Sequence, residues 1–324
     1  SKTITLVAYS DIHHHYWQNG ITEDDIAAVE DEVISLANER RADCVLFGGD
    51  AYQLHNPPSS LRNIVDGCVA AQAMDRRVIR LVGNHDRELR SMHSSHSAYH
   101  YDYFHPPFPI TIMALAKDYH FPEIDLTITA VPAGHAIVPP ALRVSSFHLC
   151  VFHDILTGSV HDNGVKEAKG VSPALFDIPG FDMVLGGDNH VPQKLDFQNT
   201  RGWYIGAPCQ HDWGDINQDR GFIVSTLEAR PEGVGIIEFE RVSSKAPKFM
   251  KFDEQVVTLQ QTENRFKDDA SLKGNVVKII LKGDARVLSN VQMIQALENT
   301  LMASSGARQI KIVTDPIVTF QELI

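Results

Sequence analysis

Five times between Ile4 and His190 a run of apolar, β-forming residues ends in a short cluster of Gly, Asp, Asn and His. This pattern limits the possible folds more than any other feature of the chain. Residues 4–9 run into Asp11-Ile12-His13, and residues 44–47 into Gly48-Gly49-Asp50. Residues 78–82 run into Gly83-Asn84-His85-Asp86, 148–152 into His153-Asp154, and 183–185 into Gly186-Gly187-Asp188-Asn189-His190. Helical segments separate the early runs. From Thr22 to Arg41, the residues Ile26, Val29, Val33 and Leu36 fall at helical spacing behind a Thr22/Asp25 capping-box start. Over about 60–75, Leu61, Ile64, Val65, Cys68 and Val69 do the same. Alternating strands and helices, with a further strand at 126–131, predict an α/β sandwich built on a largely parallel sheet. In such sheets ligands bind outside the carboxyl ends of the strands, so clusters far apart in the sequence can converge there.

From about residue 193 the strands shorten. Residues 221–227 and 235–239 flank the turn residues Pro231-Glu232-Gly233 as a hairpin, which predicts an antiparallel second sheet. Ser243 to Lys248 read as a linker. A strand at 276–281, a helix face of Val291, Ile294, Leu297 and Leu301, and a strand at 309–313 predict a small second domain. The domains are therefore placed at 1–242 and 243–324.

With 43% hydrophobic and 22% charged residues in 324, the chain is neither disordered nor fibrous. Its net charge of −12 argues against a nucleic-acid partner held by overall charge; a local patch or a partner subunit would have to do it. The charge is uneven: 243–324 carries 11 Lys+Arg and 9 Asp+Glu, which leaves 18 against 32 for 1–242. The four cysteines show no C-x-x-C spacing and read as reduced core residues. No stretch is long and apolar enough for a membrane span, and the first residues lack a signal-peptide pattern. The expectation is a cytoplasmic protein without a membrane partner.

Taken singly, each strand-end cluster is ordinary, since a lone His after a strand is usually a surface or core residue and Gly-Asn-x-Asp can be a type I turn. Together they supply three aspartates, an asparagine and three or four histidines. That mixed oxygen and nitrogen set exceeds the needs of one metal and suits two ions sharing a bridging carboxylate.

The five clusters resemble, in order, the D-x-H, G-D, G-N-H-[DE], lone-His and G-H-x-H signatures of the calcineurin-like metallophosphoesterases. Within that superfamily the chain is similar to the SbcD-type nucleases of double-strand-break repair, which include the small recombination endonuclease subunit of tailed phages. Tyr204-Ile205-Gly206-Ala207-Pro208, Gly214-Asp215 and Asp219-Arg220-Gly221-Phe222 carry that closer likeness, with Asn56-Pro57-Pro58-Ser59 and the small C-terminal domain. The resemblance implies a two-sheet metallophosphoesterase sandwich flanked by helices, with a C-terminal α/β capping domain. It implies one metal on Asp11, His13, Asp50 and His190 and a second on Asp50, Asn84, His153 and Asp188, with Asp50 bridging. His85 would be the catalytic histidine, and Asp86 would orient its ring. Asp188 departs from the pattern, standing where the family has the first histidine of G-H-x-H; the harder ligand set favours Mn²⁺, or Mg²⁺, over zinc.

The activity implied is a two-metal DNA nuclease, an exonuclease on duplex ends and an endonuclease on single strands or hairpins. It would act as a homodimer with an SbcC-type SMC-like ATPase, in a bacterial cytoplasm or a phage-infected one. The alternative is a small-molecule phosphomonoesterase or cyclic-nucleotide phosphodiesterase, which suits the acidic balance. A non-catalytic scaffold ranks last, because His85 and Asp50 are intact. Among the other histidines, His14 and His15 read as a solvated loop rather than a DNA contact. His93, His96, His100 and His105, among Tyr99, Tyr101, Tyr103 and Phe104, read as mostly structural. The apolar face of the 60–75 helix reads as core rather than a dimer contact.

Overall fold

The computed structural model describes residues 2–14, 20–53, 59–86, 108–139 and 143–317. His15, the His93 to His105 stretch and Asn56-Pro57-Pro58 lie outside the described residues. The chain divides into two compact units. One is built on the N-terminal strand, residues 22–209 and 218–246; the other is built on 210–217 and the chain from 247 onward.

In the first unit, strands β1 (Lys2–Tyr9), β2 (Cys44–Phe47), β3 (Arg77–Leu81) and β4 (Ile110–Met113) pair in parallel. A second parallel set contains β6 (Leu126–Val131), β7 (Phe147–His153), β8 (Met183–Gly187) and β10 (Gly202–Tyr204). β5 (Lys117–Phe121) and β9 (Gln193–Leu195) close the edges of this second sheet as antiparallel strands. The hairpin of β11 (Gly221–Arg230) and β12 (Gly233–Ser243) does not start a sheet of its own. β11 lies antiparallel against β1, giving the order β12-β11-β1-β2-β3-β4. The predicted antiparallel second sheet is therefore corrected to two mixed six-stranded sheets: the first is antiparallel from β12 to β1 and parallel from β1 to β4, and the second has a parallel centre and two antiparallel edges. β1 pairs with β11 along nearly its whole length, so the hairpin shields what would otherwise be an exposed edge.

Period-2 alternation turns one set of side chains from each sheet toward the other. Ile4, Leu6, Ala8, Leu46, Ile79 and Leu81 from the first sheet share one core with Leu126, Ile128, Leu149, Val151, Met183 and Leu185 from the second. Each fully buried Leu or Ile in such a core contributes about 1.5–3 kcal/mol. Helix α1 (Glu23–Glu39) starts with the Thr22/Asp25 capping box and buries Ile26, Val29 and Val33. With α2 (Ser59–Ala73) it lies on the first-sheet side. The outer face of the second sheet is covered differently. Phe152, Val184 and Tyr204 pack under Leu156, Phe176 and Phe181, which belong to loop and 3-10 segments. Helices thus flank the first sheet, and irregular chain covers the second. Cys44, Cys150 and Cys209 are buried, but Cys68 on α2 is exposed, as is Ile64 one turn before it. Among the described residues, no helix is long and apolar enough to cross a membrane.

The second unit holds a parallel sheet of β13 (Phe249–Val256), β14 (Val276–Asp284) and β15 (Gln309–Ile317). One face is packed by α3 (Leu259–Phe266), α4 (Ala285–Leu288) and α5 (Val291–Ser305). β13 and α3 escape the sequence reading. Their apolar residues alternate with Lys, Asp, Glu and Gln, because one side of each is solvated.

His14 is corrected. It is buried, with Nδ1 2.6 Å from Glu23 Oε1 and Nε2 2.9 Å from Glu30 Oε2; the Tyr9 hydroxyl donates to Glu30 at 2.6 Å. Burial works against a charge on His14, but Glu30 and Glu23 outweigh it and raise the imidazole pKa to about 9. Burial likewise opposes the Glu30 carboxylate, and His14 holds its pKa below the usual value. A raised histidine pKa contributes stability that is complete below about pH 6.5 and is lost as pH climbs through about 9. Thermal melts in chelator should therefore show stability falling from about pH 6.5 to 9. His14→Ala should lower stability by about 3–5 kcal/mol at neutral pH and flatten that decline, because Glu30 is left buried without its partner. An unchanged pH slope in the variant would refute the linkage.

Candidate metal centre

The strand-end clusters converge. Asp11 and His13 follow β1, Asp50 follows β2, Asn84 and His85 follow β3, His153 ends β7, and Asp188 and His190 follow β8. Asp11, His13, Asp50 and Asp188 all have left-handed backbone, with φ of 55°, 51°, 60° and 76°. Asp is among the non-glycine residues most tolerant of that region, and each excursion still costs energy. Bonds between the post-strand segments offset it: Asp11 N–H donates to the Gly49 carbonyl at 2.9 Å and His13 N–H to the Asp50 carbonyl at 3.1 Å. The segments need glycine for close approach. A Cβ on Gly83 would lie 2.0 Å from Asp50 Oδ1, and one on Gly49, where φ is 112°, 2.2 Å from His153 Nδ1.

Three overlapping donor sets have their ligand atoms within 4.8 Å of one another: Asp11/His13/His190, His13/Asp50/His85 and Asp11/Asp50/His153. His13 Nε2 is 3.3 Å from His190 Nε2 and 3.8 Å from Asp50 Oδ2, and His190 Nε2 is 3.9 Å from Asp11 Oδ1. On the other side, His153 Nε2 is 3.3 Å from Asp50 Oδ2, 3.1 Å from Asn84 Oδ1, 3.9 Å from Asp11 Oδ1 and 4.0 Å from Asp188 Oδ1. Every residue expected as a ligand, and the expected catalytic histidine, is thus brought together, with Asp50 between the two groups. His153 Nδ1 lies 2.7 Å from the Gly48 carbonyl, so it donates there and leaves the Nε2 lone pair for a cation. This backbone partner is invisible in the sequence.

Asp86 has a different role from the one expected. Its carboxylate accepts from the N–H groups of Gly83 (2.8 Å), Asp50 (2.9 Å), Ala51 (3.0 Å) and Tyr52 (3.4 Å). The His85 ring is oriented instead by the Gln53 carbonyl, 3.2 Å from Nδ1. Of the remaining histidines, His148 is a buried strand residue bonded to Thr129, and His161 pairs with Glu167 at the surface.

The Tyr204 to Phe222 segment also supports the site from behind. The Tyr204 hydroxyl accepts from Leu156 N–H at 2.7 Å and donates to the Asp154 carbonyl at 2.8 Å, which fixes the chain just after His153. The buried Arg220 bonds the His190 carbonyl and reaches Asp162 Oδ1 at 2.7 Å.

No protein-family model matches the sequence, and no curated protein is similar to it. Many solved structures are similar in shape. One is described as GAP50, the anchor in the inner membrane complex of Plasmodium; it is 12% identical, with 76% of this chain and 90% of that one covered at a TM-score of 0.41. Another is a dimetal phosphatase from Danio rerio, 10% identical, with 75% and 99% covered at a TM-score of 0.42. Both likenesses are loose, and the site stands on the distances given above.

The donor set fits divalent ions, because buried carboxylates and imidazoles face one another with no basic side chain between them among the described contacts. Burial raises the Asp11 carboxyl to about 6 and lowers His13 to about 3, so His13 is neutral, as a ligand must be. Burial opposes charge on His153 as well, but Asp50, Asp11 and Asp188 outweigh it and hold its pKa well above the usual range. A proton on His153 thus balances the carboxylates that a cation would otherwise balance. Cation binding must expel that proton and any proton on Asp11, so affinity weakens as pH falls. Calorimetric titration with Mn²⁺ should give an affinity lower by on the order of tenfold or more at about pH 5.5 than at about 7.5, with proton release detected in buffers of different ionisation heat. Equal affinities would contradict this charge balance.

Proposed function

We propose that the chain is a two-metal phosphoester hydrolase whose physiological substrate is DNA. The carrying observation is the position of Asp50, whose Oδ2 lies 3.8 Å from His13 Nε2 and 3.3 Å from His153 Nε2, each belonging to a separate donor group. Asp11, His13, Asp50 and His190 would hold one ion, and Asp50, Asn84, His153 and Asp188 the other. Such a pair supplies charge neutralisation for a phosphoryl group and an acidified water at neutral pH.

The chain's own residues account for the rest. In its imidazolium form His85 would keep the Nδ1 proton on the Gln53 carbonyl and pass the Nε2 proton to the departing oxygen, returning to the neutral ring. His85 is also anchored through its backbone, since its N–H donates to Asp50 Oδ1 at 2.9 Å. The proton donor is therefore tied to the shared carboxylate. Asp188 gives the second group a further carboxylate in place of an imidazole, which favours Mn²⁺ or Mg²⁺.

The nuclease reading rests on the resemblance in Tyr204 to Phe222 and on the separate C-terminal unit. Tyr204 and Arg220 brace the loops bearing His153 and His190, so they support the phosphoester site without selecting its substrate. The acidic balance of 1–242 favours the second reading, hydrolysis of a small phosphate ester. An SMC-like ATPase partner and a homodimer, for which Ile64 and Cys68 on α2 offer an exposed face, belong to the nuclease reading.

The test is nucleotide release from a labelled linear duplex with Mn²⁺ and with chelator, beside hydrolysis of p-nitrophenyl phosphate. Mn²⁺-dependent release is expected, and His85→Ala should lower kcat by about 10²–10⁴ with Mn²⁺ affinity retained. Hydrolysis of the small ester alone, even with the ATPase partner added, would move the assignment to the second reading. Asp188→His should shift the ratio of zinc to manganese affinity toward zinc; an unchanged ratio would remove Asp188 from the ligand set.

A further inference from the structure

The parallel register of the C-terminal sheet puts three lysines side by side. Lys251 on β13 is opposite Lys278 on β14, and Lys278 is opposite Lys311 on β15. They form one row across all three strands, spaced by the inter-strand distance of about 4.8 Å. Side chains on this face alternate with Phe252, Ile279 and Ile312, which point into the helix-covered core. The row therefore lies on the face opposite the helices. Lys251 and Lys311 are exposed and Lys278 is half-buried.

Like charges directly opposite one another destabilise a sheet, and here two such pairs are adjacent. The central ammonium is fixed in place: Lys278 Nζ sits 4.0 Å from the centre of the Trp213 ring, which itself packs on Phe249 with ring centres 5.0 Å apart. A cation–π contact of this kind holds the charge without neutralising it. Burial, then Lys311 and Lys251, lower the Lys278 pKa, as expected for an ammonium among like charges. Counter-charge on this face is off to one side. Asp253 is 3.6 Å from Lys251 and 3.4 Å from Lys282, and Asp315 is opposite Lys282 in the register. Lys278 and Lys311 have no ion pair among the described contacts.

We propose that the Lys251–Lys278–Lys311 row is a binding site for the phosphodiester backbone of a nucleic-acid strand. The inference rests on the nucleic-acid reading given under Proposed function. A row of fixed, closely spaced ammonium groups matches a run of phosphates, and it gives an acidic protein the local patch that its overall charge withholds. Contacts of this kind grip the backbone and carry no sequence preference.

The test uses the full chain in chelator, so that cleavage and metal binding play no part. Binding of a fluorescein-labelled single strand is followed by anisotropy as a function of salt. Replacing the three lysines by Gln should weaken binding by on the order of tenfold or more at low salt and reduce the slope of log K against log salt by about 2, three phosphates at about 0.7 each. Lys282→Gln, which lies outside the row and has Asp253 and Asp315 beside it, should change little. A cooperative thermal melt checks that the triple variant is folded, and its hydrolysis of p-nitrophenyl phosphate with Mn²⁺ should match the wild type. An unchanged affinity and slope in the triple variant would overturn the site while leaving the hydrolase reading intact. So would row-dependent binding that inorganic tripolyphosphate or phosphatidylserine vesicles displace as well as unlabelled strand does at equal phosphate. Loss of hydrolysis with the lysine-dependent slope preserved would instead count against the metal chemistry alone.

Discussion

The buried carboxylate of Asp86 holds the centre of the site together. Gly83 N–H comes from the loop after β3, and Asp50, Ala51 and Tyr52 N–H come from the loop after β2; all four converge on its two oxygens. Burial and the nearby Asp50 raise its pKa, and the four amides work against that shift by hydrogen-bonding the ionised form. In exchange, two strand-end loops become one rigid piece. Asp50 and His85 ride on that piece, and His85 N–H returns a bond to Asp50 Oδ1. A fully buried carboxylate thus helps to set the distance between Asp50 and His85.

The same arrangement explains the strained backbone. A parallel sheet delivers its strand ends to one edge, but extended residues alternate their side chains up and down, which would send half the ligands into the core. Left-handed turns at Asp11, His13, Asp50 and Asp188 re-aim the side chains soon after each strand ends. Glycines at 49 and 83 leave room for the imidazole of His153 and the carboxylate of Asp50. The conformational cost is concentrated where charge is concentrated, and the cross-loop amide bonds offset both.

Much of this is legible in the sequence, because each strand run ends at the residues that matter. The helix at 23–39 is equally legible from its capping box and apolar stripe. What cannot be read are consequences of pairing. Residues 221–243 look like an independent hairpin because the partner that recruits them, β1, lies at the far end of the sequence. His14 looks like one more loop histidine until α1 brings Glu23 and Glu30 against it. Asp86 follows His85 in sequence and so invites a pairing between them, yet the turn carries its carboxylate to the amides behind the site. Gly48 and Gln53 act through their carbonyls, which every residue has, so no side-chain pattern could reveal them.

On the proposed function, chemistry and substrate choice would be written in different parts of the chain. Under the proposed function, the clustered carboxylates and imidazoles and the segment that braces them, Tyr204 and Arg220 included, would all serve to hold a phosphoryl group, a task common to nucleases and small-ester phosphatases. Nothing in that set measures the length of the substrate. A chain that must grip a polymer needs positive charge spread over a surface, and 1–242, with 32 acidic against 18 basic groups, offers the reverse. The balance turns positive only after residue 243, where three lysines stand abreast on the sheet face opposite the helices, an arrangement of like charges that costs stability. Local charge arrangement, more than the catalytic motif, is thus the physical basis for deciding between the two substrates.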